Sequence, residues 1–222
     1  MGGLQVLTFR HGPFWNFSYL LACSETGTAA VIDPAWDLER ILKAAAARGL
    51  TITTALLTHG HSDHVNRVPE LVAATGAAVA GHGDEIEQLE SQVGPRIILS
   101  GGEWLGLGAH EIEVIHTPGH SDGSLSFLVA GRLFCGDTLN VGSVGRPGPD
   151  RASVEALWES IRRLRELPGD TVIHPGHDDG PGQWSTVGEE LARVAAWRAE
   201  TLEAFVSELE RTTGRSHRHD AV

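Results

Sequence analysis

The sequence predicts an α/β fold in which β-sheet is covered by helices on its outer side. Short apolar runs rich in β-branched residues alternate with stretches of helical periodicity. Several of the runs span only four or five residues, a length typical of strands. The 222 residues, of which 41% are hydrophobic and 21% charged, can bury one sizeable core. We therefore expect one domain over residues 1–213 and a flexible tail at residues 214–222.

The strands near the N-terminus are expected to pair as hairpins, and the later strands to be separated by helices. The predicted strands are Leu4–Phe9, Phe17–Cys23, Thr28–Ile32, Thr54–Thr58, Ala77–Ala80, Glu111–His116, Ser124–Val129, Arg132–Cys135 and Thr171–His174. Helical patterns lie at Asp37–Arg48, Asn66–Thr75, Asp84–Val93 and Ser153–Leu167, and from Thr186 to about Arg211. Ser153 is the expected N-cap of the fourth helix, and Thr186 and Glu189 have capping-box spacing. Residues 101–108, 140–150 and 178–182 are rich in Gly and Pro and are interpreted as surface loops.

The charge of the chain argues against nucleic acid or an anionic membrane as a partner. Lys and Arg number 17 against 29 Asp and Glu, which gives a formal net charge of -12. No apolar run approaches the roughly 20 residues of a membrane span, and the first residues do not resemble a signal peptide. The two cysteines, Cys23 and Cys135, are too few for a disulfide framework. These features predict a cytoplasmic location, and no feature of the sequence specifies an oligomeric state.

The 12 histidines are roughly twice the number expected for this length, and three of them cluster directly after an apolar strand. His59, His61 and His64 stand with Asp63 within six positions. Zinc and similar divalent ions bind neutral imidazole together with carboxylate oxygen. His59 and His61 can face one point from an extended chain, whereas Asp63 and His64 follow the turn of the chain and can face a second. The pattern predicts two metal positions that need further ligands from elsewhere.

Three later strand ends offer those ligands. In the segment HTPGH, His116 and His120 are both candidates, and His120 is favoured because it lies beyond the Pro-Gly turn and so outside the alternation of the strand. Asp137 follows another strand, and His177 lies beyond a second strand with the same Pro-Gly turn. A rigid sheet can fix the geometry of ligands placed at its strand ends.

In order and spacing these motifs resemble the metallo-β-lactamase superfamily. The matching segments are HGHSDH at residues 59–64, TPGH at 117–120, GD at 136–137 and PGH at 175–177. The resemblance extends from Asp33 in the segment VIDP to Glu190 in the segment STVGEE. It implies an αββα sandwich, with two mixed β-sheets flanked by helices and the metal ions in a shallow groove at one edge of the sheets.

The resemblance also implies the ligand set, with two divalent ions per chain. One ion would bind His59, His61 and His120, the second would bind Asp63, His64 and His177, and Asp137 would bridge both. Asp63 is in addition the candidate catalytic residue. Zinc is the first expectation, with iron or manganese as alternatives. His116 and His174 match no ligand position and are expected at strand ends or behind the ligands.

Two divalent ions lower the pKa of bound water toward roughly 7, which makes hydroxide available as a nucleophile, and they polarise a carbonyl. Hydrolysis of a thioester, ester or lactam is the chemistry that follows. Zinc β-lactamases lack the bridging carboxylate that Asp137 would supply. The segments GDTLNVGSVGR at residues 136–146 and PGHDDGP at 175–181 resemble short glyoxalase II-like proteins, related to hydroxyacylglutathione hydrolases. We expect a thioester hydrolase with a small-molecule substrate such as a glutathione thioester, and Arg146 as a candidate anchor for a substrate carboxylate.

Three alternatives remain open at this point, and one of them is a metal-bound protein whose activity is incidental and whose groove binds a partner. A persulfide dioxygenase of the same fold binds a single iron through residues that match His59, His120 and Asp137. A lactonase or another ester hydrolase would use the same ligand set as the thioester hydrolase. The metal content of the protein separates the dioxygenase from the hydrolases.

Overall fold

The computed structural model describes residues 3–87, 89 and 94–216, and these form two six-stranded sheets with helices outside both. The strands are β1 Leu4–His11, β2 Asn16–Cys23, β3 Thr28–Ile32, β4 Thr51–Leu56, β5 Ala78–His82, β6 Arg96–Leu99, β7 Trp104–Leu107, β8 His110–His116, β9 Leu125–Val129, β10 Arg132–Gly136, β11 Leu139–Asn140, β12 Ser143–Val144, β13 Val172–Pro175 and β14 Ser185–Thr186. The α-helices are α1 Leu38–Ala46, α2 Ser62–Val65, α3 Val68–Thr75, α4 Gly83–Ile86, α5 Arg151–Leu164, α6 Val187–Arg193 and α7 Leu202–Ser216, and a 3₁₀ helix spans Ala195–Arg198.

Both sheets are mixed, as the sequence predicts. The first sheet has the order β1-β2-β3-β4-β5-β6, antiparallel from β1 to β3 and parallel from β3 to β6. The second has the order β14-β13-β10-β9-β8-β7, in which β10 and β13 are the parallel pair. Strands β11 and β12 form a separate two-stranded ladder. Strands that run in the same direction end at the same edge of a sheet, and the loops that carry the histidine motifs leave from such ends.

The chain forms four layers in the order helix, sheet, sheet and helix, with an apolar cluster between each pair of layers. Strand β2 contributes side chains to two of these clusters. All eight residues of β2 are buried, because its alternate side chains serve two interfaces. Leu20 and Ala22 pack in the cluster between the first sheet and its helices, whereas Tyr19 and Leu21 pack in the cluster between the two sheets. The third cluster fills the space between the second sheet and α5, α6 and α7. The αββα sandwich is therefore confirmed.

The nine predicted strands are present, with ends that differ by up to three residues, but the structure corrects several other predictions. Strands β6, β7, β11, β12 and β14 were not predicted, and β7 and β12 lie within stretches that were interpreted as loops. Helix α5 begins at Arg151, because Asp150, not Ser153, is its N-cap and accepts a hydrogen bond from the Ser153 backbone N–H. The capping box of Thr186 and Glu189 is present at the start of α6.

The single long helix predicted from Thr186 is wrong. The chain forms α6, a 3₁₀ helix and α7, because Val194 and Ala199 are extended and interrupt the helical path. Trp197 between them is fully buried in the third cluster. Helix α4 ends at Ile86, and the rest of the helix predicted there includes residues 88 and 90–93, which lie outside the described residues. Residues 217–222 of the predicted tail also lie outside them. Within the described part of the chain, no helix is both long and apolar enough to cross a membrane.

Candidate metal centre

The seven candidate ligands lie just beyond the ends of strands from both sheets. His59 follows β4, His120 lies beyond β8, and Asp137 comes directly after β10. His177 follows β13, whereas Asp63 and His64 belong to α2, which begins one residue after His61. The hydrogen-bonded ladders fix the strand ends, so the short loops beyond them bring all seven side chains to one edge of the sandwich.

Three imidazole nitrogens form the first group. His61 Nδ1 lies 3.1 Å from His59 Nε2 and 2.9 Å from His120 Nε2, and the three nitrogens lie within 4.8 Å of one another. Two nitrogens bound tetrahedrally to one zinc ion lie about 3.3 Å apart, given Zn–N bonds of about 2.05 Å. The first group therefore has the spacing of a metal site.

The second group combines two imidazoles with a carboxylate. His64 Nε2 and His177 Nε2 are 3.1 Å apart, and Asp63 Oδ2 is 3.6 Å from each of them. His64 is fully buried, and the Asp63 side chain is 22% exposed on the solvent side. The second group is thus open on one side, where a substrate can approach.

Asp137 lies between the two groups. Its Oδ2 is 3.5 Å from His120 Nε2 and 3.3 Å from His177 Nε2, and its Oδ1 is 3.4 Å from His64 Nε2. The Oδ1 atom is buried and has no hydrogen-bond partner among the described residues. A buried carboxylate oxygen normally has a partner, so this oxygen fits a cation held between the groups. The residues present fit bound divalent metal, and Asp137 lies between the two groups of candidate ligands.

Glycine at position 176 is required by this arrangement. A Cβ on Gly176 would overlap Asp137 Oδ1 and would lie 2.9 Å from His64 Cε1. The Pro-Gly turn before His177 therefore serves two purposes, since it releases the histidine from the strand and leaves room for the carboxylate.

A buried aspartate that the sequence analysis did not single out as a site residue orients one histidine of each group. Asp33 is 2% exposed, has a positive φ of 47°, and directly follows β3. Its Oδ2 accepts hydrogen bonds from His64 Nδ1 at 3.1 Å and from the Thr58 hydroxyl at 2.6 Å. Because the Thr58 hydroxyl donates to Asp33, it accepts from His59 Nδ1, 3.1 Å away. Both histidines therefore present Nε2 as a free lone pair, as metal ligation requires.

Asp33 is also within 4.8 Å of ring nitrogens of His59 and His64. We interpret it as a supporting residue and not as a ligand, because its Oδ1 accepts a hydrogen bond from Thr58 N at 2.8 Å and its Oδ2 faces Nδ1 of His64. Both carboxylate oxygens of Asp33 therefore already accept hydrogen bonds from protein groups.

Backbone carbonyls orient two more of the histidines. His120 Nδ1 donates to the carbonyl of Arg146, and His177 Nδ1 donates to the carbonyl of Phe14, each at 2.8 Å. Arg146 thus contacts His120 through its main-chain carbonyl, whereas its side chain is exposed. Its expected contact with a substrate carboxylate stays a prediction.

A second residue missed by the sequence analysis, Glu85, joins the loops that carry His61 and His120. It is 6% exposed, and its Oε2 accepts a hydrogen bond from Gly60 N at 2.8 Å. Its Oε1 accepts from the Ser121 hydroxyl at 2.6 Å and from Gly123 N at 3.1 Å. The carboxylate holds the two loops of the first group at a fixed separation.

The electrostatics of the site favour neutral imidazoles at His59 and His61 and a cation near Asp137. Burial and neighbouring imidazoles lower the pKa of His59 and His61. Burial would raise the pKa of Asp137, but the imidazoles of His64 and His177 hold it well below its usual range. Burial would likewise lower the pKa of His64 and His177, yet Asp137 outweighs it, so both are raised, His177 to about 9. The same field stabilises a metal cation.

Two histidines from the motifs lie apart from the groups. His174 is 5% exposed and stacks on Phe134, with ring centroids 4.6 Å apart. His116 stacks on His82 at 5.0 Å and bonds to the carbonyl of Asp122. Cys135 is buried, and burial raises the pKa of its thiol, as expected for a structural cysteine.

Two surface cavities flank the ligands. One has a volume of about 410 Å³ and is lined by Phe14, Asp63, His177 and Asp179. The other, of about 440 Å³, lies on the side of His61 and His120. Phe14 and the neighbouring Trp15 are 60% and 53% exposed, so an apolar surface borders the first cavity.

The sequence profile of the metallo-beta-lactamase superfamily matches residues 12–177, which include both ligand groups. The chain belongs to this superfamily. This membership accounts for the order of the strand-end motifs and for the two mixed sheets. The superfamily binds metal ions, and both groups of candidate ligands lie within the matched residues.

Curated members of the superfamily resemble this chain over most of its length. A hydroxyacylglutathione hydrolase of Rhodospirillum rubrum is 39% identical over 165 residues, which make up 73% of this chain and 62% of the relative. A probable polyketide biosynthesis zinc-dependent hydrolase, BaeB of Bacillus velezensis, is 30% identical and is matched over 81% of this chain and 80% of its own length. The chain thus spans less than two thirds of the length of the Rhodospirillum rubrum hydroxyacylglutathione hydrolase.

Among solved structures of the superfamily, ETHE1 from Myxococcus xanthus is similar with a TM-score of 0.82 and 28% sequence identity. The match covers 93% of this chain and 90% of that one. The fold of the two chains therefore agrees over most of their length.

Proposed function

We propose that the protein is a metal-dependent hydrolase that cleaves thioesters in the manner of glyoxalase II. The observation that carries the proposal is the position of Asp137, within 3.5 Å of ligand atoms from both groups and with one buried oxygen that lacks a protein partner. A carboxylate in this position supports a two-metal centre. The hydrolase names of the curated relatives support the reaction class.

Each of the two ligand groups would hold one metal ion. The first group, His59, His61 and His120, would hold one ion, and the second group, Asp63, His64 and His177, would hold the other. Bound divalent ions supply a Lewis acid and lower the pKa of water, which is the chemistry that thioester hydrolysis needs. Asp63 lines the cavity beside His177, so its carboxylate would also face a substrate there, in the catalytic role expected from the sequence.

For the substrate we propose a small acyl thioester, with a hydroxyacyl glutathione thioester as the first candidate because of the relatives' name. Arg146 would contact a carboxylate of the thiol part from its exposed position beside His120. A cytoplasmic location and the absence of nucleic-acid or membrane partners stay predictions from the sequence.

Metal content and thiol release test the proposal together. The protein is purified without added metal, chelator or nickel resin, and its metal is measured by elemental analysis. About two zinc or mixed divalent ions per chain, with hydrolysis of lactoylglutathione faster than that of lactones and lactams, would support the thioester hydrolase. If a lactone is hydrolysed fastest, the protein is a lactonase and not a thioester hydrolase.

A second candidate, a mononuclear-iron persulfide dioxygenase, is favoured by the match to ETHE1 along almost the whole of both chains. Such an enzyme would bind one iron through His59, His120 and Asp137. One iron per chain, with little other metal, and oxygen consumption with glutathione persulfide would establish this candidate in place of the hydrolase.

A further inference from the structure

The end of the β1–β2 hairpin, residues 12–16, contacts the second ligand group through its side chains and its backbone. Asn16 is 1% exposed, and its Nδ2 donates a hydrogen bond to Asp63 Oδ2 at 2.9 Å. The carbonyl of Phe14 accepts the hydrogen bond from His177 Nδ1. Asn16 also pairs with His177 through an isolated β-bridge. Two of the three second-group residues are therefore oriented from the hairpin end.

The orientation of the Asn16 amide is fixed by a tryptophan. Trp36 Nε1 lies 3.0 Å from Asn16 Oδ1 and can only donate a hydrogen bond, so the amide oxygen must face the indole. The amide NH₂ group then faces Asp63 Oδ2 and also lies 3.4 Å from His64 Nε2. The indole in turn lies against Gly12, where any Cβ would come within 2.7 Å of its ring atoms. The contacts run from Gly12 through Trp36 and Asn16 to Asp63.

The Asp63 carboxylate has no other hydrogen bond within the described part of the chain. The first group is held differently, since His59 is oriented through Thr58 and His120 by the Arg146 carbonyl. The hairpin end therefore acts on one metal position and leaves the other to the strand-end loops.

We propose that Asn16, oriented by Trp36, is a positioning residue that sets the affinity of the second metal position without affecting the first. The inference rests on the proposed two-metal centre. Outer hydrogen bonds to metal ligands contribute about 10–100-fold in metal affinity. Replacing Asn16 by alanine removes the hydrogen bond that fixes Asp63, so the second position should lose affinity by about that factor.

The test is a calorimetric titration of the metal-depleted protein with zinc, with the final stoichiometry checked by elemental analysis. The parent protein should bind two ions. In Asn16→Ala the second ion should bind about 10–100-fold more weakly, while the affinity of the first ion should stay within about twofold of the parent. Trp36→Phe keeps the ring but removes the donor, so it should weaken the second ion in the same direction.

Asn66→Ala is the matched control. Asn66 Oδ1 accepts a hydrogen bond from the backbone N–H of Trp36 at 2.8 Å, so this variant disturbs the same tryptophan but removes no contact with a ligand. It should bind both ions with the parental affinities. If Asn16→Ala fails to fold, as judged by circular dichroism, Trp36→Phe decides the question.

Parental affinity at both positions in Asn16→Ala, equal weakening of both ions, or the same loss in Asn66→Ala would overturn the positioning role. The proposed function fails in a different measurement, because a parent protein that binds fewer than two ions refutes the two-metal centre before any variant is compared. The two failures are therefore distinguishable.

Discussion

His174 should make the protein sensitive to acid, although it is not a candidate metal ligand. Its ring is 5% exposed and stacks on Phe134 at an interplanar angle of 11°. Arg132 Nη1 lies 3.2 Å from His174 Nε2, and a guanidinium can only donate, so this nitrogen must be unprotonated. Burial, followed by the charge of Arg132, lowers the pKa of His174 from 6.5 to about 4.

The direction in which pH changes the stability follows from the pKa of His174 in the unfolded and folded chains. Between about pH 6.5 and pH 4 the unfolded chain protonates this histidine and the folded chain does not, so acid favours unfolding. The free energy of unfolding is unaffected above pH 6.5 and falls by about 1.4 kcal/mol per pH unit within the window. The full loss near pH 4 is about 3 kcal/mol, from a shift of about 2.5 pKa units.

Urea unfolding at several pH values between 7.5 and 4.5 measures this loss, with a chelator present in every sample. His174→Phe keeps a flat ring on Phe134, and His174→Gln keeps an acceptor for Arg132, but neither side chain titrates. The stability of the parent should fall relative to both variants as the pH drops below 6.5. Parallel curves for the three proteins would refute the reasoning, because the other titrating groups are common to all of them.

Three further outcomes concern the metal centre. Asp137→Ala should retain at most one ion and lose at least about 100-fold in thioester hydrolysis, and near-parental metal and rate would remove the bridging role. His177→Ala should lower the metal content and His174→Ala should leave it unchanged, and elemental analysis showing the reverse would mean that the ligand is the other histidine. Gly176→Ala should also lower the metal content, because its Cβ would overlap the Asp137 carboxylate, whereas Gly182→Ala, where the nearest atom is 3.5 Å away, should not. Equal metal content in these two glycine variants would contradict the packing argument.

The convergence of the seven candidate ligands could be predicted because each motif follows an apolar run, and strand ends at one edge of a sheet meet. The choice between neighbouring histidines followed from strand alternation. His174 belongs to β13, so its side chain packs against Tyr19 and Phe134, while His177 lies beyond the Pro-Gly turn and reaches His64.

The residues that orient the ligands could not be predicted from local pattern. Asp33 lies 25 residues before Thr58, and Asn16 lies 47 residues before Asp63. Glu85 lies 25 residues after Gly60 and belongs to a four-residue helix with no distinctive motif. These contacts arise only when the sheets assemble. The break after α6 has a similar origin, because burial of Trp197 overrides the helical propensity of the residues around it.

The two candidate functions differ in the second ligand group and in the use of His61. A persulfide dioxygenase would use His59, His120 and Asp137, which a two-metal hydrolase also needs, so the presence of these residues does not separate the two. Asp33 orients His59 through Thr58 and His64 directly, so its presence does not distinguish the two functions either. Among the described residues, the hairpin end contacts the second group and not the first, through Asn16 and the Phe14 carbonyl. If the second position binds an ion, this hairpin holds two of its three ligands, Asp63 and His177, so loss of the Asn16 contact should weaken the ion that the hydrolase needs and the dioxygenase does not.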